Sequence, residues 1–326
     1  MSDPHPFERL SPELVIDAVE SAGYWSDLRI LQLNSYENRV YQIGIEGAEP
    51  IIAKFYRPER WSDAQILEEH AFSLELAELE IPVVPPLVDA AGNTLHRHDE
   101  FRFSLFARRG GHPPELDNMD HLLQLGRLMA RLHAVGSVRD YATRPTLNMQ
   151  DFAVASHAYI AEHWIPAELA PAYNSLCADL IAVLTDIFAA HPPRYIRAHG
   201  DCHVGNILWR DTSFHFVDLD DSRMAPAIQD LWMFLSGERD QQLLQLSELI
   251  AGYEEFFDFD RRELRLVEAL RTLRIMHHSA WIARRWQDPA FPRGFTWFNS
   301  PRYWSDHILE LREQLAALQE PPLVVL

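Results

Sequence analysis

Three oxygen-bearing side chains stand in the order that phosphoryl transfer needs. In His199-Gly200-Asp201-Cys202-His203-Val204-Gly205-Asn206, Asp201 and Asn206 are five positions apart in a loop leading into a strand-like run. Phe216-Val217-Asp218 then ends the next such run on a second carboxylate. One carboxylate must orient an attacking hydroxyl and take its proton. An amide oxygen and another carboxylate must hold Mg²⁺, a hard cation that prefers oxygen and keeps part of its water shell. A lone Asp near an Asn is ordinarily turn chemistry. The ordered set, flanked by strands on both sides, favours catalysis.

A fourth group lies upstream. Lys54 sits in Pro50-Ile51-Ile52-Ala53-Lys54-Phe55-Tyr56, and a helix bearing Glu68 and Glu69 follows. A strand lysine braced by a helix glutamate is one way to fix a point charge against ATP phosphates. Glu69 is the expected partner of Lys54, with Glu68 left open because helical phase is not fixed by sequence. The loop Asn34-Ser35-Tyr36-Glu37-Asn38-Arg39 has no glycine. Ser35 and nearby amides can still meet phosphate oxygens, as polar turns do in anion-binding nests. A plain solvent turn is the other reading of these residues.

The elements that must position these groups follow from period and punctuation. Ser11, Pro12 and Gly23 are the N-cap, first position and stop of a helix with Leu14, Val15, Ala18 and Val19 on one face. A hairpin is expected over 39–45 and 50–56, turning at Glu46-Gly47-Ala48-Glu49. A helix capped by Ser62 or Asp63 runs to about 79, and strands lie near 94–96 and 101–106. Arg108-Arg109-Gly110-Gly111-His112-Pro113-Pro114 reads as a connector. Beyond it helices are expected over 117–135, 151–163, 171–190, 225–235, 241–257, 261–286 and 301–318. Short strands at 207–209 and 214–217 interrupt them. The expected fold class is α+β, with a small nucleotide-binding lobe over 1–107 and a larger, mainly helical catalytic and substrate lobe over 108–326.

Composition bounds the partners. Lys and Arg number 29 against 48 Asp and Glu, a formal charge of −19. That excess argues against an electrostatic grip on nucleic acid or anionic lipid. At 326 residues a length prior suggests about two domains. Cys177 and Cys202 are too few for a disulfide framework and suit a reduced compartment. No secretory signal is read in Met1-Ser2-Asp3-Pro4-His5-Pro6, and no apolar window approaches a span of roughly 20 residues. A cytoplasmic monomer without membrane or nucleic-acid partners is the expectation.

His-Gly-Asp-x-His-x-Gly-Asn with the following Val-Asp resembles the aminoglycoside phosphotransferase/choline kinase branch of the protein-kinase-like superfamily. The similarity is closer to the bacterial stress response kinase A family. It rests on Asn34–Tyr41, Lys54–Trp61, Ile66–His70, Asp218-Leu219-Asp220-Asp221, Gln229–Met233 and Arg284–Pro292. The resemblance implies a two-lobed, ATP- and Mg²⁺-dependent Ser/Thr protein kinase that phosphorylates itself and other proteins under stress. On it, Asp201 is the proton acceptor, Asn206 and Asp218 bind Mg²⁺, Ser35 touches ATP and Lys54 contacts the nucleotide phosphates. Adenine would hang from backbone groups near 106–108.

Two departures from ordinary protein kinases matter. His199-Gly200-Asp201 lacks the arginine of His-Arg-Asp, and the stretch from Asp218 to Ala225 leaves no room for a long regulated loop. Activity independent of activation-loop phosphorylation is therefore expected. The main alternative is a small-molecule phosphotransferase for an aminoglycoside, choline or homoserine-type alcohol, because one fold serves many acceptors. A zinc hydrolase built on His199 and His203 leaves Lys54, Asn206 and Asp218 without roles. A non-catalytic ATP-binding scaffold would be expected to have lost one of them. Asp230 is read as a backbone brace for the catalytic loop; Asp220 and Asp221 are read either as extra carboxylates near the metal or as solvated turn residues, the latter preferred for Asp221. Trp281, Trp286, Trp297 and Trp304 are read mainly as core, with an acceptor cleft as the other possibility.

Overall fold

Every second side chain of two adjoining strands turns into one core, and that alternation places Lys54. In the computed structural model, which describes residues 5–325, β1 (Ser26–Gln32), β2 (Arg39–Ile45), β3 (Ala48–Phe55), β4 (His96–His98) and β5 (Phe101–Ala107) form an antiparallel sheet. Its order is β1-β2-β3-β5-β4. Tyr41, Ile43 and Ile45 of β2, Ile51, Ala53 and Phe55 of β3, and Phe101, Phe103 and Leu105 of β5 share a core. Val15, Ala18 and Val19 of α1 (Pro12–Ser21) complete it. Lys54 has the opposite parity to Ala53 and Phe55, so it leaves the sheet on the other face.

A capping box between Ser62 and Gln65 starts α2 (Asp63–Glu78). Ile66, Glu69, His70, Ser73 and Leu76 are buried at three- and four-residue steps, which puts Glu69 on the inner face and Glu68 outside it. Farther along, β6 (Ile196–Ala198) pairs with β9 (Arg223–Ala225), and β7 (Ile207–Arg210) pairs with β8 (Ser213–Phe216), both antiparallel.

The compact unit built on the large sheet is wider than residues 1–107. It extends to Glu115 and takes in Tyr141–Arg144 and His203–Ser222. Hydrogen bonds explain the extension. Phe216 N–H donates to Pro82 O at 2.8 Å, and Val84 N–H donates back to Phe216 O at 3.0 Å. His112 and Trp209 exchange both main-chain bonds, at 3.0 and 2.7 Å. The β7–β8 hairpin therefore belongs with the sheet-bearing unit, although helical segments surround it in the chain.

The second unit, Leu116–Asp140, Pro145–Cys202 and Arg223 onward, is mainly helical. It contains α3 (Met119–Gly136), α4 (Ala155–His163), α5 (Ala170–Ala190), α6 (Ile228–Leu231), α7 (Arg239–Tyr253), α8 (Val267–Arg284), α9 (Ala290–Gly294) and α10 (Pro301–Ala317). Helices α3 and α7 pack through glycine. A Cβ at Gly126 would lie 2.0 Å from Leu249 O, and one at Gly252 would lie 2.0 Å from Leu123 O. The two backbones are in contact at both points.

Several expectations shift. β1 went unanticipated because it is an edge strand with a register break after Ser26, and Leu28 and Leu31 lie exposed on it. The helix expected over 225–235 contracts to α6 and a 3₁₀ turn at Trp232–Phe234, because β9 consumes its start. The helix over 261–286 opens with a 3₁₀ stretch, Arg261–Leu266, and that over 151–163 opens with a π-helical turn, Gln150–Val154. Contrary to the sequence reading, α5 is long and apolar enough by length and composition to cross a membrane. Its buried Tyr173, Leu176, Cys177, Leu180 and Leu184 recur at helical spacing, the pattern of a helix that turns one face inward and leaves the rest outside. Trp304 is core, whereas Trp297 is exposed.

Candidate active site

In the sheet-bearing unit, Lys54 projects from β3 and meets two carboxylates. Its Nζ lies 2.7 Å from Asp218 Oδ1 and 3.3 Å from Asp220 Oδ1. Burial alone would lower the pKa of this ammonium, but Asp218 and Asp220 outweigh it and raise the value above the ordinary lysine range. The same charges act back on Asp220. Its burial favours the neutral acid, yet Lys54 and Arg60 hold its pKa below the usual carboxylate range.

Glu69 is on the Lys54 side of α2 but makes no direct ion pair with it, contrary to expectation. The ammonium spends its short contacts on Asp218 and Asp220. Burial pushes Glu69 up to about 7, against the lowering field of Lys54. Glu68 points elsewhere and accepts hydrogen bonds from the main-chain N–H groups of Ala142, Thr143 and Arg144. Behind the lysine, burial pushes His70 down to about 3. The neutral ring bridges Tyr56 Oη and Thr94 Oγ1, each at 2.8 Å.

Asp218 follows β8 in the left-handed region, with φ 59° and ψ 63°. Asp tolerates that conformation better than most residues with a Cβ. Asn206 closes a short 3₁₀ turn before β7, where His203 Nδ1 accepts the Gly205 N–H at 3.0 Å. Val217 N–H donates to Asn206 O at 3.0 Å, so the residue before Asp218 is tied to Asn206 across the base of the hairpin. The donor set fits a hard divalent cation. Asp218 keeps a half-exposed carboxylate and Asn206 supplies an amide, as suits an ion that takes few protein ligands and retains water. Ser35 lies in the irregular, partly buried loop between β1 and β2.

Asp201 belongs to the second unit, where a buried aspartate sets the backbone beside it. Asp230, at the start of α6, accepts the N–H of His199 at 2.7 Å and that of Gly200 at 2.8 Å. His133 Nε2 meets the same carboxylate at 3.1 Å, and His133 Nδ1 meets Tyr253 Oη at 3.0 Å. Gln229 adds a bond to Gly200 O at 3.2 Å. The brace expected of Asp230 is present. Arg274 of α8 donates to Asp201 Oδ1. Cys202 is buried, its thiol pushed well up by desolvation, which suits an inert side chain.

The profile of a family described as the phosphotransferase enzyme family matches residues 29–267. Stress response kinase A of Escherichia coli (strain K12) is 43% identical over 321 residues, covering 97% of this chain and 96% of that protein. The chain belongs to the phosphotransferase enzyme family, in its stress response kinase A branch. Serine/threonine protein kinase RdoA of Salmonella typhimurium (strain LT2) is 42% identical over 318 residues, covering 97% of this chain and 96% of the other. Among solved structures, amicoumacin kinase hAmiN in complex with AMP-PNP, Ca²⁺ and Ami covers 94% of this chain and 93% of its own. Its TM-score is 0.72 at 18% identity. Spectinomycin phosphotransferase in complex with ADP and spectinomycin covers 95% of this chain and 94% of its own, with TM-score 0.64 at 16% identity. These two share its fold. This member of the family is thus an enzyme that moves a phosphoryl group to a hydroxyl acceptor, with ATP as co-substrate.

Sequence reasoning passed over residues that hold the segment after Asp218. Arg60 donates to Asp220 Oδ2 at 2.5 Å and to Asp221 Oδ1 at 2.8 Å, so Asp221 is held rather than merely solvated. Asn38 donates to Asp220 at 3.2 Å while accepting the Arg57 N–H at 3.0 Å. The signal for Arg60 was present: the run Lys54–Trp61 is longer than phosphate binding alone requires. Arg144 and Arg274 stood in no such motif.

Proposed function

We propose that this chain is an ATP- and Mg²⁺-dependent Ser/Thr protein kinase acting on itself and on other proteins, as a cytoplasmic monomer in a stress response. The observation that carries the reading is 43% identity over 97% of the chain to proteins named stress response kinase A. In this reading Asp201 orients the acceptor hydroxyl and takes its proton. Lys54 meets the nucleotide phosphates, exchanging carboxylate partners for phosphate oxygens. Asn206 and Asp218 hold Mg²⁺, which would supply charge neutralisation for the transferring group. Ser35 contacts ATP from its loop, and Glu69 supports Lys54 through the field between them. The domain division into a nucleotide-binding part and a catalytic and substrate part belongs to the same proposal.

A small-molecule acceptor is the second reading, since the similar solved structures include kinases named for amicoumacin and spectinomycin. Arg274 argues against a polycationic acceptor, because its guanidinium sits on the carboxylate that would meet the hydroxyl. The test is transfer of label from radioactive ATP by the purified protein alone, with a generic basic protein, and with aminoglycosides. Label in protein bands, lost in Asp201→Ala, is the expected result. Label found only in the soluble drug or alcohol overturns the protein kinase reading.

A further inference from the structure

The main-chain oxygens of Asp220 and Ser222 are held by a loop that lies far from them in sequence. Arg144, only 5% exposed, directs its guanidinium at main-chain oxygens. Nε donates to Ser222 O at 2.5 Å, one terminal nitrogen donates to Asp220 O at 2.5 Å, and the other to Gln65 O at 3.0 Å. Tyr141 Oη meets Ser222 Oγ at 2.7 Å. Trp61 lies against two guanidinium groups, with Arg144 4.5 Å and Arg60 5.1 Å from its ring.

The loop carrying Arg144 is itself seated by Glu68. One carboxylate oxygen accepts the Ala142 N–H at 2.5 Å. The other accepts the Thr143 N–H at 2.8 Å, Thr143 Oγ1 at 2.6 Å and the Arg144 N–H at 2.9 Å. Partial burial would raise the Glu68 pKa, but these donors outweigh it and hold the value below the usual range. Four bonds converge on an ionised acceptor, the strong class of hydrogen bond. Gln65 and Glu68 lie one turn apart on α2, so a single helical turn anchors both the loop and its arginine.

We propose that Glu68 and Arg144 form a latch that positions Asp218 for metal and nucleotide binding, making Arg144 a positioning residue. The inference rests on the reading of Asp218 as a metal-holding carboxylate. Physically, Asp218 sits in a sparsely populated backbone region, and such a residue stays put only when its surroundings over-determine it. Arg144 supplies that constraint by fixing the carbonyls of Asp220 and Ser222, two and four residues on. A lysine cannot replace it, because one ammonium cannot reach three carbonyls in the planar array a guanidinium serves.

The test uses the full chain and two readouts that need no phosphoryl acceptor. The first is Mg²⁺-dependent binding of a fluorescent ATP analogue. The second is hydrogen exchange of the main-chain amides over 218–222. Arg144→Ala is expected to raise the Mg²⁺ concentration for half-maximal nucleotide binding about tenfold and to speed exchange over 218–222, with free guanidinium at millimolar concentration restoring both. Arg144→Lys and Glu68→Gln are expected to give intermediate shifts, and they serve if Arg144→Ala does not fold. Lower thermal stability with an unchanged Mg²⁺ requirement, unchanged exchange and no rescue by guanidinium overturns the latch. Asp218→Asn is the control. If it leaves Mg²⁺-dependent binding intact, the reading of Asp218 fails, an outcome separable from failure of the latch.

Discussion

Nζ of Lys54 lies 2.7 Å from Oδ1 of Asp218, a contact between residues 164 positions apart. Each group thereby neutralises the other. Lys54→Met should leave Asp218 and Asp220 facing each other and deprive the phosphates of a point charge. Phosphotransfer should fall by about 10²- to 10³-fold, the usual range for losing one electrostatic stabiliser. Steady-state kinetics with ATP varied checks this, and a variant with wild-type kcat/KM would remove Lys54 from the site.

Arg274 fixes one oxygen of Asp201. Asp201→Asn should lower kcat by about 10²- to 10⁴-fold, the ordinary contribution of a general base. Nucleotide affinity should not change. Arg274→Ala should cost less, about tenfold in kcat, with Arg274→Lys recovering part of the loss. Equilibrium ATP binding alongside turnover separates these effects. Weaker ATP binding in Asp201→Asn would contradict the assignment.

Ser222 is fully buried, with its hydroxyl bonded to Tyr141 Oη at 2.7 Å. A phosphate there could not be solvated without opening the segment. Ser222→Ala should keep at least about half of wild-type activity, losing one hydrogen bond of about 1 kcal/mol. Ser222→Asp should lower Tm by several degrees by burying a charge. Abolished catalysis in a folded Ser222→Ala protein would show that this hydroxyl is needed for turnover.

Glu263 accepts the Ile228 N–H at 3.0 Å, and burial pushes its pKa up from 4.5 to about 7. The folded state therefore binds a proton that the unfolded state has released between these values. This contribution to stability is complete below about 4.5 and is lost as pH rises through about 7. Urea unfolding from pH 5 to pH 8 should show that decline flattened in Glu263→Gln. Parallel pH curves for variant and wild type would contradict it.

The candidate set stood out because phosphoryl transfer would need such residue types at short spacings: Asp201 to Asn206 in one loop, Asp218 after the next strand. Lys54 was legible from its strand and the helix after it. Glu69 could be separated from Glu68 only by the buried face that Ile66, His70 and Ser73 define. The arginines carried no periodic signal, because their roles come from distant partners. Arg60 reaches Asp220 across 160 positions, Arg144 reaches Ser222 across 78, and Arg274 reaches Asp201 across 73. Strands β6 and β9 have three residues each, too few for alternation to register. The β7–β8 hairpin was visible as an element, but its hydrogen bonds to Pro82, Val84 and His112 were not.

The glycine contacts between α3 and α7 give distant positions a voice in the loop that carries Asp201. Gly252 precedes Tyr253, whose hydroxyl bonds His133, which bonds Asp230, the brace of His199 and Gly200. A methyl group at Gly126 or Gly252 would wedge the helices apart and shift that relay. In a genetic screen, both glycines should therefore yield loss-of-function alleles that look catalytic while altering no residue that meets substrate. Compensating alleles should arise on the facing helix rather than around Asp201.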